Sequence, residues 1–155
     1  MNSGRRLAVD VGTVRIGLAL SDPEMILASP LQAMIRSENL TETLEAIAAI
    51  AADSNVLEIY VGDPVALSGQ ETSSTRDARE FATALAKLTK SEVRLIDERL
   101  TTVSASSKLR QGGKNSRDSK ALIDSASAVE ILEQVMRTLK IASVSPGYLA
   151  GESNA

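Results

Sequence analysis

Two acidic residues stand where the sequence makes a carboxylate costly. Asp10 interrupts the first apolar run of the chain, and Glu98 lies just past a predicted strand over residues 93–96. A buried carboxylate must be paired, protonated or bound to a metal ion. Two ordinary explanations stay open at this point. Asp10 could cap the turn at Gly12-Thr13, and Glu98 could form an exposed ion pair with Arg99.

A third acid, Asp124, belongs to the apolar face of a predicted helix. Asp124, Ala128, Ile131 and Val135 follow the spacing i, i+4, i+7 and i+11, which places them on one side of a helix. A solvated acid normally lies on the opposite side. The alternative is a carboxylate that stabilises the first turn of the helix through the helix dipole.

The composition restricts the chemistry that these acids could perform. The chain contains neither histidine nor cysteine, which excludes catalytic triads, thiol catalysis and the common zinc sites. A site built from carboxylate oxygens favours Mg²⁺ or Mn²⁺. Two such ions would also reduce the repulsion between the acids, and a pair of ions is one established way to hydrolyse a phosphodiester bond.

Basic residues are concentrated between two of the three acids. The whole chain has a net charge of −3, yet the segment 99–120 contains one acid and six bases, which are Arg99, Lys108, Arg110, Lys114, Arg117 and Lys120. Such a segment could bind nucleic-acid phosphates, or it could simply keep the surface solvated. Aromatic residues are only 2% of the chain. Recognition of the backbone of a structured nucleic acid is therefore favoured over base stacking.

The length of 155 residues indicates one domain, predicted over 1–140, with a disordered tail over 141–155. No apolar run is long enough to span a membrane, and no signal peptide is evident, so a cytoplasmic protein is expected. Hydrophobic periodicity predicts an antiparallel meander, followed by parallel strands that alternate with helices. This is an α/β fold with a mixed five-stranded sheet. Its predicted strands are 7–11, 16–20, 26–35, 56–61 and 93–96, and its helices begin near 39, 78, 101 and 122.

Three motifs resemble those of the YqgF/RuvX family. They are Asp10-Val-Gly-Thr-Val-Arg-Ile-Gly-Leu-Ala-Leu-Ser-Asp22, Asp97-Glu-Arg-Leu-Thr-Thr102 and Ile123-Asp124-Ser-Ala-Ser-Ala128. The resemblance covers roughly residues 5–140. It implies an RNase H-like fold related to the Holliday-junction resolvase RuvC, and a nuclease acting on the 5′ end of pre-16S ribosomal RNA.

The resemblance also implies roles for individual residues. Asp10, Glu98 and Asp124 would be the catalytic acids. The hypothesis of a metal-dependent phosphodiesterase adds further roles to these. Asp10 would bridge two Mg²⁺ or Mn²⁺ ions, and the other two acids would each hold one. The six basic residues of the segment 99–120 would bind the substrate, and three threonines would support the ligands, namely Thr13, Thr101 and Thr102. The expected partners are structured pre-rRNA or branched DNA and ribosomal particles, with no membrane, and the expected state is a monomer or weak homodimer.

The sequence departs from the family pattern in two places. The loop that usually reads Gly-Leu-Pro-Leu-Asn is here Gly62-Asp63-Pro64-Val65-Ala66, which introduces an acid and removes a polar residue. A fourth acid, which RuvC-like sites carry three residues after the helix aspartate, is replaced by Ser127. These changes leave a non-catalytic RNA-binding or ribosome-assembly factor as one alternative.

Two further alternatives remain. A resolvase-like DNase fits the same acids. A nucleotide- or phosphate-binding protein is suggested because Asp10-Val-Gly-Thr13 also resembles the phosphate hairpin of actin-like folds. Those proteins need two such halves, and this chain is long enough for one.

Overall fold

A mixed β-sheet forms the centre of the protein. The computed structural model describes residues 3–65, 68–98 and 125–151. In these ranges six strands are arranged in the order β3-β2-β1-β4-β5-β6. The strands are β1 (Arg5–Val11), β2 (Arg15–Ser21), β3 (Ala28–Ile35), β4 (Val56–Asp63), β5 (Glu92–Asp97) and β6 (Tyr148–Leu149), and the helices are α1 (Leu40–Asp53), α2 (Ser73–Ala86) and α3 (Ala126–Ala142).

The pairing of the strands confirms the predicted α/β class and mixed sheet. β1, β2 and β3 form an antiparallel meander, whereas β4 and β5 run parallel to β1. The carboxyl ends of β1, β4 and β5 therefore meet at one edge of the sheet. This is the edge at which open α/β sheets place their functional sites.

Alternating side chains divide the core into two layers. Residues such as Val9, Ile59 and Val61 face α1 and α2, where they pack with Ile47 and Phe81. Their neighbours on the same strands face the other side of the sheet. Each large apolar side chain that is fully buried contributes about 1.5–3 kcal/mol to stability.

The second layer is formed by α3. Ala8 and Tyr60 pack against Ala128, Ile131 and Val135, all of which are buried. The apolar face predicted for this helix is thus confirmed in its described part. Asp124, which the spacing assigned to the same face, lies outside the described residues.

The predicted disordered tail is wrong for residues 141–151. The chain continues from α3 into β6, which pairs antiparallel with β5 and becomes the sixth strand. Side chains hold this segment in place: Ser145 donates to Glu58 at 2.5 Å, and Arg94 donates to the carbonyls of Pro146 and Gly147. These contacts join residues far apart in sequence, so a local pattern could not predict them.

Several element boundaries also differ from the predictions. β3 begins at residue 28 rather than 26, and β4 continues through Asp63 rather than ending at residue 61. The helix predicted to begin near residue 101 lies outside the described residues. Within the described ranges, no helix has the length and apolar character needed to cross a membrane.

Candidate active site

Asp10 and Glu98 come together at the carboxyl edge of the parallel strands. Asp10 is the sixth residue of β1, and Glu98 directly follows β5. Their carboxyl groups are hydrogen-bonded to each other. The capping explanation for Asp10 is not supported at Gly12, because the Gly12 N–H donates to the carbonyl of Arg15 at 3.0 Å.

The contact between these acids crosses a whole strand. β4 lies between β1 and β5, and neighbouring strands are separated by about 4.8 Å. Asp10 follows Ala8 by two residues on β1 and so faces the α3 side of the sheet. On β4 the corresponding position is Gly62, two residues after Tyr60. The Glu98 side chain lies directly beside Gly62.

Burial and mutual repulsion change the protonation of this pair. Burial, followed by the charge of Asp10, raises the pKa of Glu98 to about 8. Burial also raises the pKa of Asp10, and its hydrogen bond with Glu98 opposes that rise. Two carboxyl groups in contact avoid carrying two full charges by sharing a proton. A divalent cation could replace that proton, so the pair fits a hard metal ion.

We expect the metal-free protein to lose stability as the pH rises through the range in which Glu98 ionises. In the unfolded chain Glu98 releases its proton near pH 4.5, whereas the folded protein retains it to about pH 8. Its contribution to stability is thus fully present below pH 4.5 and is lost as the pH rises through about 8. Urea unfolding in a chelator at several pH values would measure this loss. Glu98→Gln should remove it, and an identical pH profile in that variant would contradict the prediction.

Asp63 adjoins the site but faces the opposite side of the sheet. As the residue after Gly62, it points toward α2, where Arg79 donates two hydrogen bonds to its carboxylate at 2.8 and 3.0 Å. The hydroxyl of Tyr148 in β6 donates a third, at 3.0 Å. Burial, then the charge of Asp63, raises the pKa of Tyr148 to about 12. The acid that departs from the family pattern is therefore ion-paired with Arg79 and faces away from Asp10.

Ser125 fixes the beginning of α3 on the sheet. Its hydroxyl accepts from the Leu18 N–H at 3.2 Å and donates to the Leu31 carbonyl at 2.7 Å, thereby bridging β2 and β3. The register of these strands shifts between Ile16 and Leu18, and the hydroxyl satisfies backbone groups at that irregularity. Ser125 occupies the N-cap position, yet its side chain makes no capping hydrogen bond. Its hydrogen-bonding capacity is used to hold the helix against the sheet.

Arg36 connects the turn that follows Asp10 to α2. Its guanidinium donates to the Gly12 carbonyl at 3.1 Å and forms two hydrogen bonds with Asp77, at 2.7 and 2.8 Å. These bonds hold the pKa of Asp77 below its usual range. Arg36 also donates its backbone N–H to the carbonyl of Val14. Thr13, which was expected to support the ligands, is exposed in this turn.

The other predicted site residues lie outside the described part of the chain. This applies to Asp124, to Thr101 and Thr102, and to all six basic residues of the segment 99–120. Of the predicted acids, the structure thus describes the pair formed by Asp10 and Glu98. Four residues that contribute to the site were not identified from the sequence, namely Gly62, Arg36, Arg79 and Ser125. Gly62 could have been found, because it is part of the family loop motif. For the other three, no local sequence pattern indicates a role.

Comparisons of sequence identify close relatives. A family model described as RuvX, Holliday junction resolvase, matches residues 4–138. The chain is 46% identical over 149 residues to a Clavibacter michiganensis protein named "Putative pre-16S rRNA nuclease", covering 96% of this chain and 92% of that one. A Leifsonia xyli protein of the same name is 47% identical and is covered to 95%.

The fold has a counterpart among solved structures. It matches Thermus thermophilus RuvC, solved in complex with a Holliday junction substrate, with a TM-score of 0.62. The match covers 92% of this chain and 99% of that one at 12% sequence identity. At that level of identity the likeness establishes the RNase H-like fold that the motifs implied, and nothing about the substrate.

Proposed function

Because the chain belongs to the RuvX Holliday junction resolvase family, we propose that it is a nuclease that hydrolyses phosphodiester bonds in the maturation of pre-16S ribosomal RNA. The observation that carries this proposal is the contact between Asp10 and Glu98 at the carboxyl edge of the sheet. A pair of half-buried acids in contact with each other destabilises the metal-free protein. Such an arrangement is typical of a site selected for chemistry rather than for stability.

Asp10 and Glu98 would hold Mg²⁺ or Mn²⁺, together with Asp124. Support for Asp124 comes from its neighbour Ser125, which is anchored to Leu18 of β2. Leu18 adjoins Gly17, the register partner of Asp10. Consecutive Cα atoms are separated by 3.8 Å, so this anchor brings the chain next to Asp124 toward the same face of the sheet. When bound, the ions supply the charge that activates water and stabilises the phosphate in the transition state.

The protein's own groups would perform the remaining tasks. Arg36 and Asp77 hold the turn after Asp10 in a fixed position, which keeps that carboxylate oriented. The basic residues of the segment 99–120 would bind phosphates of the substrate. This role is suggested by the position of the segment between Glu98 and Asp124 in the sequence. Thr13, Thr101 and Thr102 would support the ligands.

Structured RNA is the substrate class that we propose. The relatives in Clavibacter and Leifsonia are named "Putative pre-16S rRNA nuclease". A chain with 2% aromatic residues is suited to contacts with a nucleic-acid backbone rather than to base stacking. We further propose that it acts in the cytoplasm, on precursor RNA within ribosomal particles, as a monomer or weak homodimer.

A cleavage assay tests the function. The substrate is a 5′-labelled precursor fragment that contains the leader and the first stem of 16S RNA, incubated with Mn²⁺, Mg²⁺ or a chelator. We expect cleavage with either ion and none with the chelator. A four-way DNA junction and a linear duplex serve as comparison substrates. Preferential cleavage of the junction would instead identify a resolvase, and tight RNA binding without cleavage under any condition would identify a non-catalytic assembly factor.

A further inference from the structure

Gly62 occupies the position between the two acids on the intervening strand. Of the residues of β4 near its carboxyl end, Tyr60 and Gly62 face α3, whereas Val61 and Asp63 face the other side. Tyr60 is fully buried, two residues farther from the edge. Any side chain at position 62 would therefore project into the space between β1 and β5. The Glu98 side chain, which directly follows β5, must cross this space to reach Asp10.

The Glu98 side chain fills that space. A Cβ atom placed on Gly62 would lie 2.7 Å from Cδ and 2.8 Å from Cγ of Glu98, and closer still to one carboxylate oxygen. Real Cβ contacts are essentially never this short. The conflict involves the end of a flexible side chain and not the backbone, so the fold could accommodate a methyl group by rotating Glu98 away.

We propose that Gly62 is a positioning residue whose missing side chain allows Glu98 to lie across β4 and meet Asp10. The role of Gly62 in metal binding rests on the proposed function, because Glu98 is a metal ligand only under that proposal. The effect of Gly62 on the position of the Glu98 side chain does not depend on it. Residues that orient metal ligands typically contribute 10–100-fold to metal affinity or activity. Gly62 would do so by leaving space rather than by forming a bond.

The test compares Gly62→Ala with wild type in three measurements. A crystal structure of the metal-free variant should show Glu98 rotated off β4, without its hydrogen bond to Asp10. Calorimetric titration with Mn²⁺ alone should show an affinity at least about tenfold lower, and RNA cleavage should fall by a similar factor. The midpoint of thermal unfolding in chelator should not fall, because the displaced group is a flexible side chain at the edge of the sheet and its separation from Asp10 relieves the repulsion between the two acids.

Two further variants make the test specific. Val61→Ala removes buried volume from the next residue of the same strand, on the opposite face, and should lower stability while Mn²⁺ affinity is retained. In a Glu98→Ala background, Gly62→Ala should have no additional effect on affinity, because its effect acts through Glu98. An Asp10–Glu98 hydrogen bond retained in Gly62→Ala would overturn the proposal. If wild type neither binds Mn²⁺ nor cleaves RNA, the proposed function fails, and the structural measurement still decides the role of Gly62.

Discussion

Asp10→Asn should abolish RNA cleavage and at the same time stabilise the metal-free protein. Loss of a carboxylate ligand removes metal-derived stabilisation of the transition state, which is typically several kcal/mol. Since each 1.36 kcal/mol changes a rate tenfold, we expect cleavage to fall at least about a hundredfold. The same substitution removes the charge that faces Glu98. We therefore expect the unfolding midpoint in chelator to rise by about 3 °C, which corresponds to roughly 1 kcal/mol for a domain of this size.

The opposite signs of these effects separate a catalytic role from a role in folding. A residue that only supports the fold would lose activity and stability together. Asp53→Asn is the matched control, because it removes the same charge from an exposed position at the end of α1, which leads into the opposite end of β4. Cleavage by Asp10→Asn at the wild-type rate would refute the proposed nuclease site, and a lowered unfolding midpoint would refute the electrostatic argument.

The contact between Asp10 and Glu98 agrees with one rule that can be applied to the sequence. Each acid lies at the carboxyl end of an apolar strand, and parallel strands bring such ends to one edge. Helical periodicity placed Ala128, Ile131 and Val135 on the buried face of α3, which the structure confirms. Hydrophobic periodicity and the energetic cost of burying a carboxylate are local properties of a sequence. Both can therefore be assessed without any knowledge of the fold.

Other features depend on contacts that no local pattern encodes. Ser125 directly precedes the first residue of α3, yet its hydroxyl bridges β2 and β3 across about a hundred residues of chain. The tail beyond α3 is polar, with little periodicity, and is nevertheless ordered by Ser145 and Tyr148, whose partners lie on β4. The orientation of Asp63 required knowing that β4 extends through that residue, because a difference of one residue reverses the face of a strand side chain.

Removal of Arg79 should produce the largest loss of stability among the substitutions considered. The Asp63 side chain is only 2% exposed, and the guanidinium of Arg79 donates two hydrogen bonds to it. Breaking a buried ion pair by deleting one partner typically costs 3–5 kcal/mol. Because the Arg79 side chain is 26% exposed, we expect Arg79→Ala to cost about 3 kcal/mol, at the lower end of that range, measured by urea unfolding with an unchanged m value.

The matched experiment is the double variant Asp63→Leu with Arg79→Ala, which restores the apolar residue usual in the family. An apolar replacement of a buried ion pair is often neutral or stabilising, so the double variant should recover at least half of the loss. It should also cleave RNA at the wild-type rate, because Asp63 faces α2 and not Asp10. A loss below about 0.5 kcal/mol for Arg79→Ala would mean that the pair behaves as an exposed surface pair. Reduced cleavage by a stable double variant would mean that Asp63 takes part in the site after all, so this variant decides whether the acid in the Gly62-Asp63-Pro64 segment belongs to the framework or to the chemistry.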